Sequence, residues 1–167
     1  MAEKDVLIKE KVQYSGYADF KNAYNFAYNW LKDESYNIVE EKYSEKVKGE
    51  KKDIEIVWIA SKKLTEYFKV ELSIKWRILG LEDVEIEIDG KKKKTNKFVE
   101  IGIEIKGTLA RDYDNKWNKS DTTRFFNEVY NKYVIPDRTK QMEGIVEKAV
   151  QELKEEIKAF FELTGKK

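Results

Sequence analysis

The chain contains neither histidine nor cysteine, so any chemistry it performs has to use carboxylates, lysines, tyrosines or arginines. This composition excludes imidazole and thiol catalysis, disulfides and the usual zinc sites. An enzyme of this kind would need a carboxylate of raised pKa or a lysine of lowered pKa in a pocket, and neither is visible in a sequence. We predict no catalytic residue, no metal site and no cofactor, and an enzyme is the least favoured class.

One polar segment gathers side chains suited to binding, residues 111–117, with the sequence RDYDNKW. Arg111, Tyr113 and Trp117 are residue types that protein-binding surfaces use, and the segment follows directly after a predicted strand. We predict a surface interaction site here. The alternative is that Tyr113 and Trp117 hold the loop against the domain while Arg111 pairs with an aspartate.

A basic patch, KKKKTNK, occupies residues 91–97 at the predicted tip of a hairpin. It could meet phosphates or an acidic partner, or it could be a solvated turn that discourages aggregation. Nucleic-acid surfaces interleave aromatic residues with lysines, and none lies between Lys91 and Lys97. The 33 basic residues also nearly cancel the 32 acidic ones. We therefore expect no DNA or RNA partner.

The central element is a predicted strand over residues 65–79, because apolar residues occupy every second position. The same alternation predicts strands at 6–14, 36–47, 53–60, 84–88 and 99–109. Asp89-Gly90 predicts a hairpin turn, and Ser15-Gly16 is expected to end the first strand. The second predicted strand is the weakest and is typical of a bulged or edge strand. In the first strand, the predicted inner face holds Val6, Ile8, Val12 and Tyr14 and is interrupted by Glu10.

Two regions follow helical spacing. Residues 18–32 predict an aromatic helix with Asp19 near its start. Residues 121–163 predict either one helix kinked at Pro136 or two helices, with an apolar stripe from Met142 to Phe161. We therefore predict a single α+β domain, in which a curved antiparallel sheet of five to seven strands is gripped by a long, Pro-kinked C-terminal helix and accompanied by one N-terminal aromatic helix.

This order of elements resembles the helix-grip superfamily, also described as START/Bet v 1-like. The resemblance implies a cavity between the sheet and the C-terminal helix, which commonly holds a lipid, a sterol or another apolar molecule. We accordingly predict non-catalytic binding of an apolar small molecule. The predicted lining consists of Trp58, Phe68, Trp76, Met142, Val146 and Leu153.

The alternative is that these residues fill a solid core, as most apolar stripes do. The protein would then be an interaction or scaffold domain that acts through surface aromatics of the helix at residues 17–30 or of the segment 111–117. A homodimer would be consistent with that interpretation. The sequence has no apolar run of about 20 residues and no signal-peptide core, so we expect no membrane span and a cytoplasmic location. The Lys/Glu-rich composition is typical of proteins from hot environments.

Overall fold

A computed structural model describes residues 3–111 and 136–165, together with positions 122, 125 and 129. Within these residues the fold is an antiparallel sheet of five strands in the order β1-β5-β4-β3-β2, with two helices. The elements are β1 (Glu3–Ala18), α1 (Phe20–Asp33), β2 (Asn37–Lys48), β3 (Lys51–Lys63), β4 (Phe68–Ile88), β5 (Lys91–Arg111) and α2 (Pro136–Gly165). The predicted α+β class and the C-terminal helix are confirmed. The kink at Pro136 stays a prediction, because the residues just before it lie outside the described range.

The two central strands, β4 and β5, are longer than the alternation predicted. Gly80 adopts φ +66° and lets β4 continue to Ile88, and its N–H donates to Asp53 Oδ1 at 2.9 Å. Asp89 and Gly90 both have positive φ, 52° and 79°, as a two-residue hairpin turn requires. Residues 91–97 pair with β4 as a strand, so their predicted placement at a hairpin tip is wrong.

Beyond the end of β1 the β4–β5 hairpin continues as a two-stranded ribbon. Ala18, the last residue of β1, pairs with Asn96 of β5. On the other side of the hairpin, the pairing of β3 with β4 ends at Lys52, which lies opposite Leu81. Among the residues that the structure describes, positions 84–95 consequently pair only with each other, and we refer to them as the hairpin arm.

Two register shifts in β1 correct the sequence prediction. The strand passes through Gly16, at φ +122°, with a shift between Tyr14 and Gly16, instead of ending there. A second shift lies between Val6 and Ile8. It places Val6 on the opposite face from Ile8 and leaves it 59% exposed, so the assignment of Val6 to the inner face was wrong. A bulge adds one residue and thereby reverses the side-chain alternation.

The β2 strand is an edge of the described sheet, and its register shifts between Glu40 and Lys42. The prediction of a bulged edge strand is therefore confirmed. Most of its side chains are exposed.

Both helices lie on one face of the sheet, here called the inner face. The ring of Phe20 on α1 contacts Trp76 on β4, and Val150 on α2 lies over Gly107 on β5. Gly107 pairs with Leu72, which has the same parity as Trp76 and therefore points to the same side. The helices also touch each other, with the rings of Phe26 and Phe160 stacked at 4.9 Å. This arrangement is compatible with a helix-grip-like α+β fold.

Local interactions define where α1 begins. The Asp19 carboxylate accepts the Asn22 N–H at 3.1 Å as an N-cap, and the Phe20 N–H donates to Asn96 Oδ1 at 3.0 Å. The second bond ties the start of α1 to β5. Neither of the two described helices carries an apolar stretch long enough to cross a membrane.

Candidate functional site

The two tryptophans predicted to line a cavity lie side by side on the inner face, beneath α1. Trp58 on β3 and Trp76 on β4 are fully buried, with ring centroids 5.3 Å apart in an edge-to-face arrangement. Three rings of α1 cover them. Tyr24 lies 4.9 Å and Tyr28 5.8 Å from Trp58, and Phe20 lies 6.2 Å from Trp76, measured between centroids. These five residues are referred to below as the aromatic cluster.

The indole N–H groups of Trp58 and Trp76 are buried and have no hydrogen-bond partner among the described residues. The Trp58 indole lies near the Tyr24 hydroxyl and lowers the pKa of that hydroxyl, as a hydrogen-bond donor does. Trp76 is the clearer case of an isolated donor. A buried donor left unpaired costs about 1–3 kcal/mol, and native structures contain few of them.

The Tyr24 hydroxyl connects the aromatic cluster to the edge strand. It donates to Glu40 Oε2 on β2 at 3.2 Å. Burial raises the pKa of Tyr24, and the negative charge of Glu40 raises it further. Tyr24 is therefore protonated at neutral pH, and its proton is used in the bond to Glu40.

The other predicted lining residues lie elsewhere on the inner face. Val146 and Leu153 are fully buried on α2, and Met142 is half-buried one turn before Val146. Phe68 begins β4, where its buried ring meets that of Tyr67 at 5.0 Å. The predicted set is thus distributed over the part under α1, the part under α2 and the start of β4.

Beneath α2 the contact with the sheet is very close. A Cβ built on Gly107 would lie 2.8 Å from Val146 Cγ1, 2.7 Å from Val150 Cγ2 and 3.1 Å from Ile8 Cγ2. The helix therefore rests on the bare backbone of β5, in a place that only glycine leaves open. Around Gly107 the inner face is filled by aliphatic side chains, whereas towards the end of α2 the buried ring of Phe161 stacks on Tyr14 of β1 at 5.0 Å.

Glu10 joins α2 to β1, a role that the sequence analysis missed. Its two carboxylate oxygens accept from Gln151 Nε2 at 2.9 Å and from Lys154 Nζ at 3.1 Å. The hydrogen bond from Lys154, followed by that from Gln151, lowers the pKa of Glu10. The sequence pattern already placed Glu10 on the inner face of β1. A carboxylate in that position needs a hydrogen-bonding partner, which the covering helix can supply.

The predicted surface interaction site is described only at its first residue. Arg111 ends β5, and its guanidinium forms a 3.0 Å ion pair with Asp5 on β1. Tyr113 and Trp117 lie outside the described residues. The interaction role of this segment stays a prediction.

A depression of about 370 Å³ opens on the outer face of the sheet around Gly102, whose missing side chain leaves the strand backbone uncovered. Its charged lining consists of Lys11, Glu55, Lys75, Arg77, Glu100 and Glu104. Three positive and three negative groups give the depression no preference for an ion of either sign. Within the described parts of the chain, no three carboxylates are close enough together to hold a metal ion.

Comparison with known proteins assigns no family, because no protein-family model, no curated protein and no solved structure matches this chain. The aromatic cluster is therefore the candidate site on its own geometry. It combines large apolar ring faces with a buried, unsatisfied donor.

Proposed function

We propose that the protein binds an apolar small molecule carrying a hydrogen-bond acceptor, in the aromatic cluster between α1 and the sheet, without catalysing a reaction. The observation that carries this proposal is the buried Trp76 N–H, which has no partner among the described residues. Ligand sites typically combine apolar and aromatic walls with a few placed polar groups. An acceptor atom on the ligand would satisfy the indole while the rings of the cluster enclose the remainder.

An apolar ligand suits this position better than a water molecule. A buried water needs two to four polar partners. The nearby Tyr24 hydroxyl already gives its proton to Glu40, and the rings of Phe20 and Trp58 that pack against Trp76 offer no oxygen acceptor. A water donating and accepting there would leave its own hydrogen bonds unmade. A carbonyl, ether or ionised carboxyl oxygen on an apolar molecule would accept the Trp76 N–H and has no proton of its own that needs an acceptor.

Ring rotation on α1 offers a way to admit the ligand. The helix buries the small residues Ala23 and Ala27, whereas the half-buried Tyr24 and Tyr28 place their rings against Trp58. Side chains more than backbone therefore fill the space above the tryptophans. Turning these rings outward would enlarge the space without unfolding the helix.

Kinship with the helix-grip superfamily is part of the same proposal. It is supported by the order of the elements and by the placement of both helices on one sheet face. Proteins of that superfamily commonly hold apolar molecules between sheet and helix. Under this proposal Trp58 and Trp76 keep their predicted binding role, while Val146 and Leu153 pack α2 against the sheet.

Native mass spectrometry of the gently purified protein, before and after organic extraction, tests the proposal. We expect an additional discrete mass that extraction removes. Titration with cis-parinaric acid, a fluorescent fatty acid, then measures affinity in the wild type and in Trp76→Phe. Loss of one neutral hydrogen bond predicts about 2–10-fold weaker binding. Trp30→Phe changes the same residue type on α1 outside the cluster and should bind as the wild type does.

Two results would contradict the proposal. One is a protein that carries no extractable mass and shows no saturable binding of parinaric acid. The other is equal affinity in Trp76→Phe and the wild type, which would place the ligand away from the unpaired N–H.

An interaction domain is the second candidate, and the edge strand β2 favours it. Val39, Tyr43 and Val47 on this strand are 52%, 52% and 65% exposed. An edge strand with unpaired backbone groups is suited to pairing with a strand from another chain, here a second copy. Sedimentation velocity distinguishes the candidates. A ligand-free dimer that Tyr43→Lys dissociates would favour this function, and a monomer at every accessible concentration would oppose it.

A further inference from the structure

The hairpin arm separates its charges between its two faces. Residues directly opposite each other in an antiparallel pair share a face. Val84 pairs with Thr95 and Ile86 pairs with Lys93, and Lys91 follows two residues away on the same side. This face, which we refer to as the lysine face, therefore carries two exposed lysines, two half-buried aliphatic residues and no acidic group.

The other face of the arm is balanced. Glu85 pairs with Lys94, and Glu87 pairs with Lys92. Two basic and two acidic side chains give this balanced face no net charge. All four lysines of the run are exposed, but only Lys92 and Lys94 lie opposite a carboxylate.

We propose that the lysine face of the hairpin arm docks the protein onto an anionic lipid surface. Lysines near a membrane are attracted to acidic headgroups, and aliphatic residues on the same side can enter the interfacial region. Val84 and Ile86 supply that aliphatic part. The arm extends past the ends of β1 and β3, so it reaches a surface without rearrangement of the sheet.

A lipid surface fits this face better than a nucleic acid. Single-stranded nucleic acids bind to basic grooves that contain aromatic side chains on which bases stack. Residues 84–95 contain no aromatic residue, and the apolar members of the lysine face are aliphatic. This docking is independent of ligand binding in the aromatic cluster and is tested separately.

Co-sedimentation of the full chain with vesicles tests the proposal at physiological salt. Phosphatidylcholine vesicles containing about 30 mol% phosphatidylserine are compared with pure phosphatidylcholine vesicles. The wild type should bind only the first kind. Replacing both lysines of the lysine face, Lys91→Gln with Lys93→Gln, should weaken binding about 30-fold, since each lysine contributes about one factor of five near such a surface.

The matched control changes the balanced face, Lys92→Gln with Lys94→Gln. Both double variants change the net charge from +1 to −1 within the same four-residue run, so they differ only in the face altered. We expect the control to retain most of its vesicle binding. A third variant, Ile86→Thr, keeps every lysine and should weaken binding without changing its salt dependence.

Three outcomes would overturn the proposal. The first is no preference of the wild type for anionic vesicles, and the second is an equal loss in the two double variants, which would indicate unspecific attraction. The third is saturable binding of a single-stranded oligonucleotide that depends on Lys91 and Lys93 while vesicle binding is absent. That result would assign the lysine face to nucleic acid.

Discussion

The two helices cover neighbouring parts of the same sheet face by different means. Beneath the middle of α2 the contact is aliphatic and close, with Val146 and Val150 resting on the backbone of Gly107, and near the helix end Phe161 stacks on Tyr14. Beneath α1 the contact is made by large rings, and two buried indole N–H groups have no partner among the described residues. Close aliphatic packing maximises dispersion contacts. A buried donor without a partner lowers the stability of the folded protein, and such groups are often found at binding sites.

This difference assigns separate tasks to the two parts of the inner face. The α2 part should dominate the free energy of unfolding. The α1 part should tolerate substitution better but should respond to ligands.

The largest effect is expected for Leu153→Ala, which removes a fully buried side chain of α2. Leucine-to-alanine substitutions in cores cost about 2–5 kcal/mol. The matched change under α1 is Trp76→Phe, which loses volume but also removes an unpaired buried donor. The two effects oppose each other, so we expect a net change below about 1.5 kcal/mol. Urea unfolding followed by circular dichroism measures both variants without relying on tryptophan fluorescence.

Equal destabilisation by the two variants would remove the contrast between the two parts. It would mean that Trp76 belongs to a close-packed core like that beneath α2. The candidate function would then shift to the interaction domain that uses β2.

A smaller effect is expected for Gly107→Ala. The new Cβ would meet Val150 Cγ2 at 2.7 Å and Val146 Cγ1 at 2.8 Å, and valine side chains have little rotamer freedom in a helix. Overpacking of this kind costs about 1–3 kcal/mol. The control lies on the same strand. A Cβ on Gly102 would approach Lys11 Cε no closer than 3.8 Å, so Gly102→Ala should be neutral or slightly stabilising. A harmless Gly107→Ala would show that α2 can lift from β5, contrary to the close contact described above.

The parity of β3 and of the first half of β4 could be predicted from the sequence, and with it the inner position of Trp58 and Trp76, whereas Val99, in step with the buried Ile101, is 64% exposed. The bulges in β1 could not, because one inserted residue reverses the alternation without altering composition. Val6 was misassigned for this reason. Residues 65–79 and 84–88 were predicted as two strands, yet they belong to the single strand β4, which passes through Gly80 at positive φ.

The composition of the candidate site was predicted only in part. Two of its five members, Trp58 and Trp76, came from strand parity. Their covering by α1 depends on where each helix crosses the sheet, which apolar spacing along a helix does not specify. The partners of Glu10 lie more than a hundred residues away in sequence, so its inward position could be predicted but not its pairing with Lys154.

The smallest predicted effect is the pH dependence that Glu10 adds to the α2 part. Lys154 and then Gln151 hold the pKa of Glu10 below its ordinary value of 4.5 in the folded protein. The ionised carboxylate is therefore favoured by folding. Its stabilising contribution is complete above pH 4.5 and is lost as the pH falls through the lowered folded pKa.

We expect Glu10→Gln to unfold at lower urea concentration than the wild type at neutral pH. The difference between the two proteins should shrink as the pH falls below 4.5, because protonation then removes the same charge from the wild type. Glu152→Gln is the control, since Glu152 pairs with Lys148 one turn away on the exposed side of α2, where such pairs contribute little. If Glu10→Gln and Glu152→Gln have the same urea unfolding midpoints from neutral pH into the acid range, the hydrogen bonds of Glu10 do not stabilise the contact between α2 and β1. The attachment of α2 would then rest on its apolar contacts, aliphatic and aromatic.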